Sequence, residues 1–268
     1  MLQVYSNPVD LLKKYEQYFI DDEIRYSLIL AITRRNAGIT LMISSEIDDR
    51  FVIGVLAGKN FIIASNTMEE DVYFDLVEYM DKVDYPGIIG MREHCEVYHS
   101  KYKEITGKEL IVKMDQRIYY CPKVHELSQK IGLVRLANES DIEYLVDWAF
   151  NFSHDIGEPV TTEQAQNHIE YQIDTKTLYV LELNNQLVSM AARSRSLNTT
   201  ESVGFVYTPV KLRKNGYARR IVEEVTSKVL NDNKIATLYT DLSNPTSNSI
   251  YMKIGYKPYC DSVMLNKF

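Results

Sequence analysis

Arg213-Lys214-Asn215-Gly216-Tyr217-Ala218 sets two cations and a glycine directly before a stretch of helical periodicity. A glycine there lets an anion approach the first backbone N–H groups of the helix, where the helix dipole also favours negative charge. The chemistry that fits is the holding of a phosphate group. Neither G-x-x-x-x-G-K-[ST] nor G-x-G-x-x-G occurs in the chain, so the loop is not one of the common nucleotide fingerprints. Upstream, Val203 to Thr208 is a β-rich run that breaks at Pro209. Downstream, Ala218, Ile221, Val222, Val225 and Val229 recur at helical spacing, which places Arg219, Arg220, Glu223 and Lys228 on the water face. Strand, turn and helix thus follow one another without a break.

A second group, Asn244, Asn248, Tyr251, Lys253, Gly255 and Tyr256, lies further on. Together with R-x-x-G-x-A at Arg213, Gly216 and Ala218, it resembles the GNAT superfamily of acyl-CoA-dependent N-acyltransferases, from Leu133 to the C-terminus. The resemblance implies acetyl-CoA as co-substrate. It implies that the backbone of Phe205, Val206 and Tyr207 holds the pantetheine arm and thioester carbonyl. The amides of Arg213, Lys214, Asn215, Gly216, Tyr217 and Ala218 would hold the pyrophosphate, and Asn244 and Asn248 the arm. Tyr251 matches the residue that protonates the departing thiolate.

Acyl transfer from a thioester to an amine needs a neutral nucleophile, a polarised carbonyl and a proton for the leaving sulfur. A phenol of ordinary pKa ~10 is a reasonable donor to a thiolate whose conjugate acid lies at ~8.5. No general base is assigned: Glu201 and Asp241 lie near strand ends, and a water chain could serve instead. Arg193 and Arg195 alternate along one strand, which fits either an anionic acceptor or simple exposure. The expected activity is N-acetyl transfer to a small-molecule or peptide amine. A non-catalytic acyl-CoA-binding sensor, or a protein-interaction module, is the alternative.

The elements that must position these groups come in two similar sets. Helical stripes at Asn7 to Ile20 and Ile24 to Arg35 precede short β-rich runs at Ile39 to Ser44, Arg50 to Leu56 and Asn60 to Ser65. A helix through Tyr73 to Val83, a strand at Gly87 to Met91, a helix at Arg92 to Thr106 closed by Gly107 and a strand at Leu110 to Tyr120 complete the first set. After a polar connection, Cys121 to Lys130, the order begins again. Asn138 opens a helix, and Thr161 with Gln164 forms a capping box for the next. Strands at Thr177 to Leu183 and Leu187 to Leu197 meet at Asn184-Asn185-Gln186, a hairpin signal. The organising strand and helix come next, then a strand at Ala236 to Asp241, a helix at Thr246 to Ile254 and a final strand pair around Tyr256 to Leu265.

The expected fold is therefore α/β, a mixed sheet in tandem GNAT-like form. Its expected domains are residues 1–125, without an acyl-CoA loop, and 130–268, the acetyltransferase half. In the first half Glu69, Glu70 and Asp71 stand where the second has Arg213 and Lys214, and would repel a pyrophosphate.

A net charge of −7 over 268 residues argues against a general nucleic-acid binder. No apolar run is long enough to span a bilayer. Cys95, Cys121 and Cys260 are odd in number and widely spaced, as in a reducing cytoplasm. His94 and His99, five apart, read as packing or surface residues, and no metal is expected.

Overall fold

In the repeated order of elements, each half begins with a short strand. The computed structural model describes residues 1–125 and 130–268, so part of the expected connection from Cys121 to Lys130 lies outside them. The first series is β1 (Leu2–Tyr5), α1 (Pro8–Asp21), α2 (Glu23–Arg35), β2 (Ile39–Ile47), β3 (Arg50–Ala57), β4 (Asn60–Ser65), α3 (Glu70–Met80), β5 (Gly87–Met91), α4 (Arg92–Thr106) and β6 (Leu110–Cys121). The second is β7 (Leu133–Leu136), α5 (Ile142–Asp155), α6 (Thr162–Asp174), β8 (Leu178–Leu183), β9 (Gln186–Ser194), β10 (Thr200–Tyr207), α7 (Tyr217–Asn231), β11 (Ile235–Asp241), α8 (Pro245–Ile254) and β12 (Lys257–Lys267). Element for element the two series match.

The chain divides into two units that are not simple halves. One contains Met1–Tyr119, Tyr239–Pro245 and Pro258–Phe268; the other contains Tyr120–Leu238 and Thr246–Lys257. In the first unit the strands lie in the order β1-β2-β3-β4-β5-β12-β6, with β4 and β5 parallel. β12 pairs antiparallel with β5, Ser262 opposite Met91 and Asn266 opposite Gly87. Val72, Tyr73, Leu76 and Val77 of α3 meet Cys95 and Tyr98 of α4, Ile43, Val52 and Ile63 of the sheet and Val263 of β12 in one core. Leu11, Tyr15 and Phe19 recur every fourth residue along α1 and are buried.

In the second unit the strand order is β11-β10-β9-β8-β7, antiparallel throughout except for β10 and β11. The turn between β8 and β9 places Asn184 and Asn185 at φ 51° and 60°, the two left-handed positions a tight hairpin requires. Asn138 and Asp141 form a capping box ahead of α5, and Thr161 and Gln164 form another ahead of α6. Leu145, Trp148 and Ala149 of α5 and Ala165 and Ile169 of α6 pack with Val180, Met190 and Tyr207 of the sheet. α7 buries Ile221, Val222, Val225 and Val229, each worth roughly 1.5–3 kcal/mol when taken fully from water.

Three expectations from sequence change. β1 adds a strand ahead of α1, and the expected final strand pair is one long strand, β12, which joins the first unit. Arg220 and Glu223, expected on the water face of α7, are 6% and 1% exposed. They are accommodated as ion pairs one helical turn apart, Arg219 with Glu223 at 2.7 Å and Arg220 with Glu224 at 2.9 Å. Among the described residues no helix is long and apolar enough to cross a membrane.

Candidate acyl-transfer site

β10 breaks its pairing with β9 where the sequence places the carbonyl-holding residues. Gly204 lies opposite Ala192 and Tyr207 opposite Met190, so Phe205 and Val206 share a single partner position. Phe205 takes φ 52°, a left-handed conformation that a non-glycine residue adopts at a cost and that a bulge imposes. The parallel pairing with β11 runs from Thr200 opposite Ile235 to Ser202 opposite Thr237, and the bulge lies beyond its end. Backbone groups at the bulge are thereby turned out of the ladder. Ser189 fixes the strand end, donating to Tyr207 O at 3.0 Å and lying 2.9 Å from Thr208 Oγ1.

The turn that follows is braced by its own side chains. Arg213 Nε donates to Thr208 O at 3.0 Å, its Nη2 reaches Asp155 at 2.6 Å, and its guanidinium lies 5.7 Å from the Tyr207 ring centre. Asn215 Nδ2 donates to Leu212 O and Arg213 O at 3.1 and 3.3 Å. Lys214 at φ 68° and Gly216 at φ 80° are both left-handed, and Gly216 caps α7 without a side-chain hydrogen bond to the first turn. A Cβ at Gly216 would meet no atom within 4 Å. The space beside Gly216 at the helix start is open. Arg213, Lys214, Asn215 and Gly216 are exposed and Tyr217 and Ala218 half-buried, so six consecutive residues border that space.

On α8, Asn248 is buried and Tyr251 half-buried. Burial pushes the Tyr251 hydroxyl up to about 12, against the opposing pull of a hydrogen bond with Ser247. Its ring meets Tyr256 edge-on, 6.0 Å between centres, and Tyr256 OH lies 2.8 Å from Thr226 Oγ1 on α7. α8 is thus tied to α7. Gly255 ends the helix at φ 123°, where a Cβ would stand 2.4 Å from Lys123 O. Asn244 is exposed and precedes α8, its N–H donating to Asp241 O at 3.1 Å; it counts with the first unit.

Arg193 and Arg195, weighed for an anionic acceptor, and Glu201 and Asp241, weighed as bases, each have a defined setting. Arg193 pairs with Glu201 and Asp232, each at 2.5 Å, and Glu201 is only 4% exposed, so the two are held in one ion-pair network. Arg195 lies past the end of β9 at φ 47°, off the strand face it was expected to share. Asp241 Oδ1 accepts from Ser243 N–H at 2.7 Å. Ser189 and Asp155 escaped the sequence reading, because they act through tertiary contacts that no local spacing announces, whereas Ser247, four residues before Tyr251 on α8, carries an i, i+4 signal that could have found it. His94 is buried, and His99 Nε2 accepts from Leu110 N–H at 3.4 Å.

Residues 180–265 match the family model described as FR47-like protein. None of the curated proteins matches the chain in sequence. Among solved structures, an acetyltransferase of the GNAT family from Colwellia psychrerythraea is similar with a TM-score of 0.68 at 10% identity, over 100% of this chain and 100% of that one. A GCN5-related N-acetyltransferase from Kribbella flavida is similar at 0.60 and 12%, over 91% and 94%. A tandem GNAT protein from the clavulanic acid biosynthesis pathway is similar at 0.59 and 8%, over 99% and 98%. The fold is that of the GNAT acetyltransferases, in tandem form.

Proposed function

We propose that this chain, a tandem GNAT fold, transfers the acetyl group of acetyl-CoA to an amine acceptor, a small molecule or a peptide, and that the second of its two GNAT-like copies, residues 130–268, carries the site. One observation supports this reading most: the bulge at Phe205 leads into a helix whose first turn is open, left-handed at Gly216 and flanked by Arg213 and Lys214. The residues fit the group. Bound there, acetyl-CoA supplies an acetyl carbon activated by its thioester. The amides of Arg213 to Ala218 hold its pyrophosphate, and the backbone of Phe205, Val206 and Tyr207 takes the arm and aims at the thioester carbonyl. Asn248 lines the arm.

Tyr251 serves as general acid. A hydroxyl pushed up to about 12 stays protonated across the working range, and the same low-dielectric surroundings raise the proton affinity of the departing sulfur. The first copy, residues 1–125, takes no acyl-CoA in this account. The free thiols of Cys95, Cys121 and Cys260 support a reducing compartment, the cytoplasm. The test is a screen of free CoA release from acetyl-CoA over a panel of amines and peptides. Acceptor-dependent release supports acetyl transfer, and tight acetyl-CoA binding with no release over the panel contradicts it.

A further inference from the structure

The ring of Phe205, at the bulge, is flanked by two others. Phe152 of α5 meets it at 5.0 Å between centres and 79°, and His168 of α6 meets it at 4.9 Å and 88°. His168 is exposed, whereas Gln172, one turn further along α6, is 6% exposed. Gln172 Nε2 lies 2.7 Å from His168 Nε2, and Gln172 Oε1 is buried with no hydrogen-bond partner. Gln172 extends the stripe of Ala165 and Ile169, where an apolar side chain would pack at no such cost.

A carboxamide has a property that an apolar residue lacks. Its N–H donates to the lone pair of a neutral imidazole, and its oxygen, once the amide turns, accepts from an imidazolium. Once the amide turns, the orphaned Oε1 accepts from a proton on His168 Nε2, and when the ring is the imidazolium that bond is charge-assisted. An imidazole is also the side chain whose charge changes most readily near neutral pH. The buried carboxamide can therefore hold the exposed imidazole, beside the bulge at Phe205, both before and after it takes a proton.

We propose that His168 is the general base that takes the proton from the acceptor ammonium, and that Gln172 is a positioning residue that stabilises the charged ring. The inference rests on the acetyl-transfer reading. One ammonium proton passes to His168, the C–N bond forms as the thioester C–S bond breaks, and Tyr251 gives its proton to sulfur. The second amine proton replaces the one Tyr251 gave, and His168 releases its own to solvent. One proton is released per turnover and no other reactant is needed.

The test compares two nucleophiles, butylamine, which arrives charged at neutral pH, and hydroxylamine, which arrives largely uncharged, each at saturating acetyl-CoA. His168→Ala is expected to lower butylamine turnover ~10²–10⁴-fold and hydroxylamine turnover far less, with acetyl-CoA affinity unchanged and with partial rescue by added imidazole. Gln172→Leu is expected to show the same selectivity to a smaller degree. Equal losses with both nucleophiles, or no loss, overturn the base assignment. Absence of CoA release from the unaltered chain with either amine counts against acetyl transfer itself.

Discussion

The junctions of β4 with α3 and of β10 with α7 hold the same place in the two series, yet they are built differently. β4 pairs with β3 without interruption from Val52 opposite Ser65 to Ala57 opposite Asn60, and its parallel pairing with β5 extends over four residues. Its turn is closed by side chains: Asn66 Oδ1 accepts from Phe51 N–H at 2.7 Å, Ser65 Oγ from Thr67 N–H at 3.1 Å and Thr67 Oγ1 from Glu69 N–H at 3.1 Å. Glu70 and Asp71 open α3, with Asp71 held by Arg50 at 2.9 Å. β10 has a bulge instead, and its turn has two left-handed residues, two cations and open space. One fold therefore tolerates both a sealed and an open junction, and a few local residues decide which.

The helices repeat the contrast. Counted from the first residue of each, the seventh of α4 is Tyr98 and the seventh of α8 is Tyr251. Tyr98 is fully buried with its hydroxyl 2.5 Å from that of Tyr85, whereas Tyr251 is half-buried beside Ser247. The largest expected effect separates them. Tyr251→Phe should lower kcat ~10²–10⁴-fold with little change in acetyl-CoA affinity, while Tyr98→Phe should leave kcat intact and cost about 1 kcal/mol of stability. CoA release and urea unfolding measure the two. Because the Tyr251 hydroxyl deprotonates only near 12, it should give the pH–rate profile no basic limb below about pH 11.

The third residue of α4 is His94, where α8 has Ser247. Burial pushes the His94 imidazole down to about 4, so it is neutral when folded and takes a proton when unfolded between that value and ~6.5. Its contribution to stability is complete above the unfolded value and is lost as pH falls toward the folded one. Between about pH 7 and about pH 5 it should amount to about 2 kcal/mol. His94→Leu should flatten the pH dependence of urea unfolding by that much; an unchanged slope would place the effect on carboxylates.

The glycines that end the two helices give the smallest contrast. Gly255→Ala forces a Cβ to 2.4 Å from Lys123 O and should cost about 2 kcal/mol, whereas Gly107→Ala, at φ 71° with nothing within 4 Å, should cost about 1 kcal/mol. Thermal unfolding of both variants checks the difference, and equal losses would show that Lys123 gives way.

Most of the element order was legible, because stripes such as Leu11, Tyr15 and Phe19 and turns such as Asn184-Asn185 are local signals. The partner of β12 was not, since alternation along a strand does not say which strand it meets. The loop from Arg213 to Ala218 and the spacing from Asn244 to Tyr256 were readable as motifs. The bulge was hidden, because Phe205 at φ 52° has no glycine to announce it. Buried Arg220, Glu223 and Gln172 were hidden for a related reason: polar residues on a helix read as exposed until a second layer covers them. Gln172 did carry one signal, its place seven residues after Ala165 on the apolar stripe.

The most direct test of an open and a sealed junction is a calorimetric titration of acetyl-CoA into the full chain and into Gly216→Glu. The added side chain meets no atom of the fold within 4 Å of its Cβ, and a non-glycine residue at φ 80° costs about 1 kcal/mol, so the variant should remain folded while its carboxylate occupies the face proposed for phosphate. The account predicts one acetyl-CoA per chain, weakened roughly 10²-fold or more in the variant. Two bound molecules per chain, or one that survives Gly216→Glu unchanged, would contradict it.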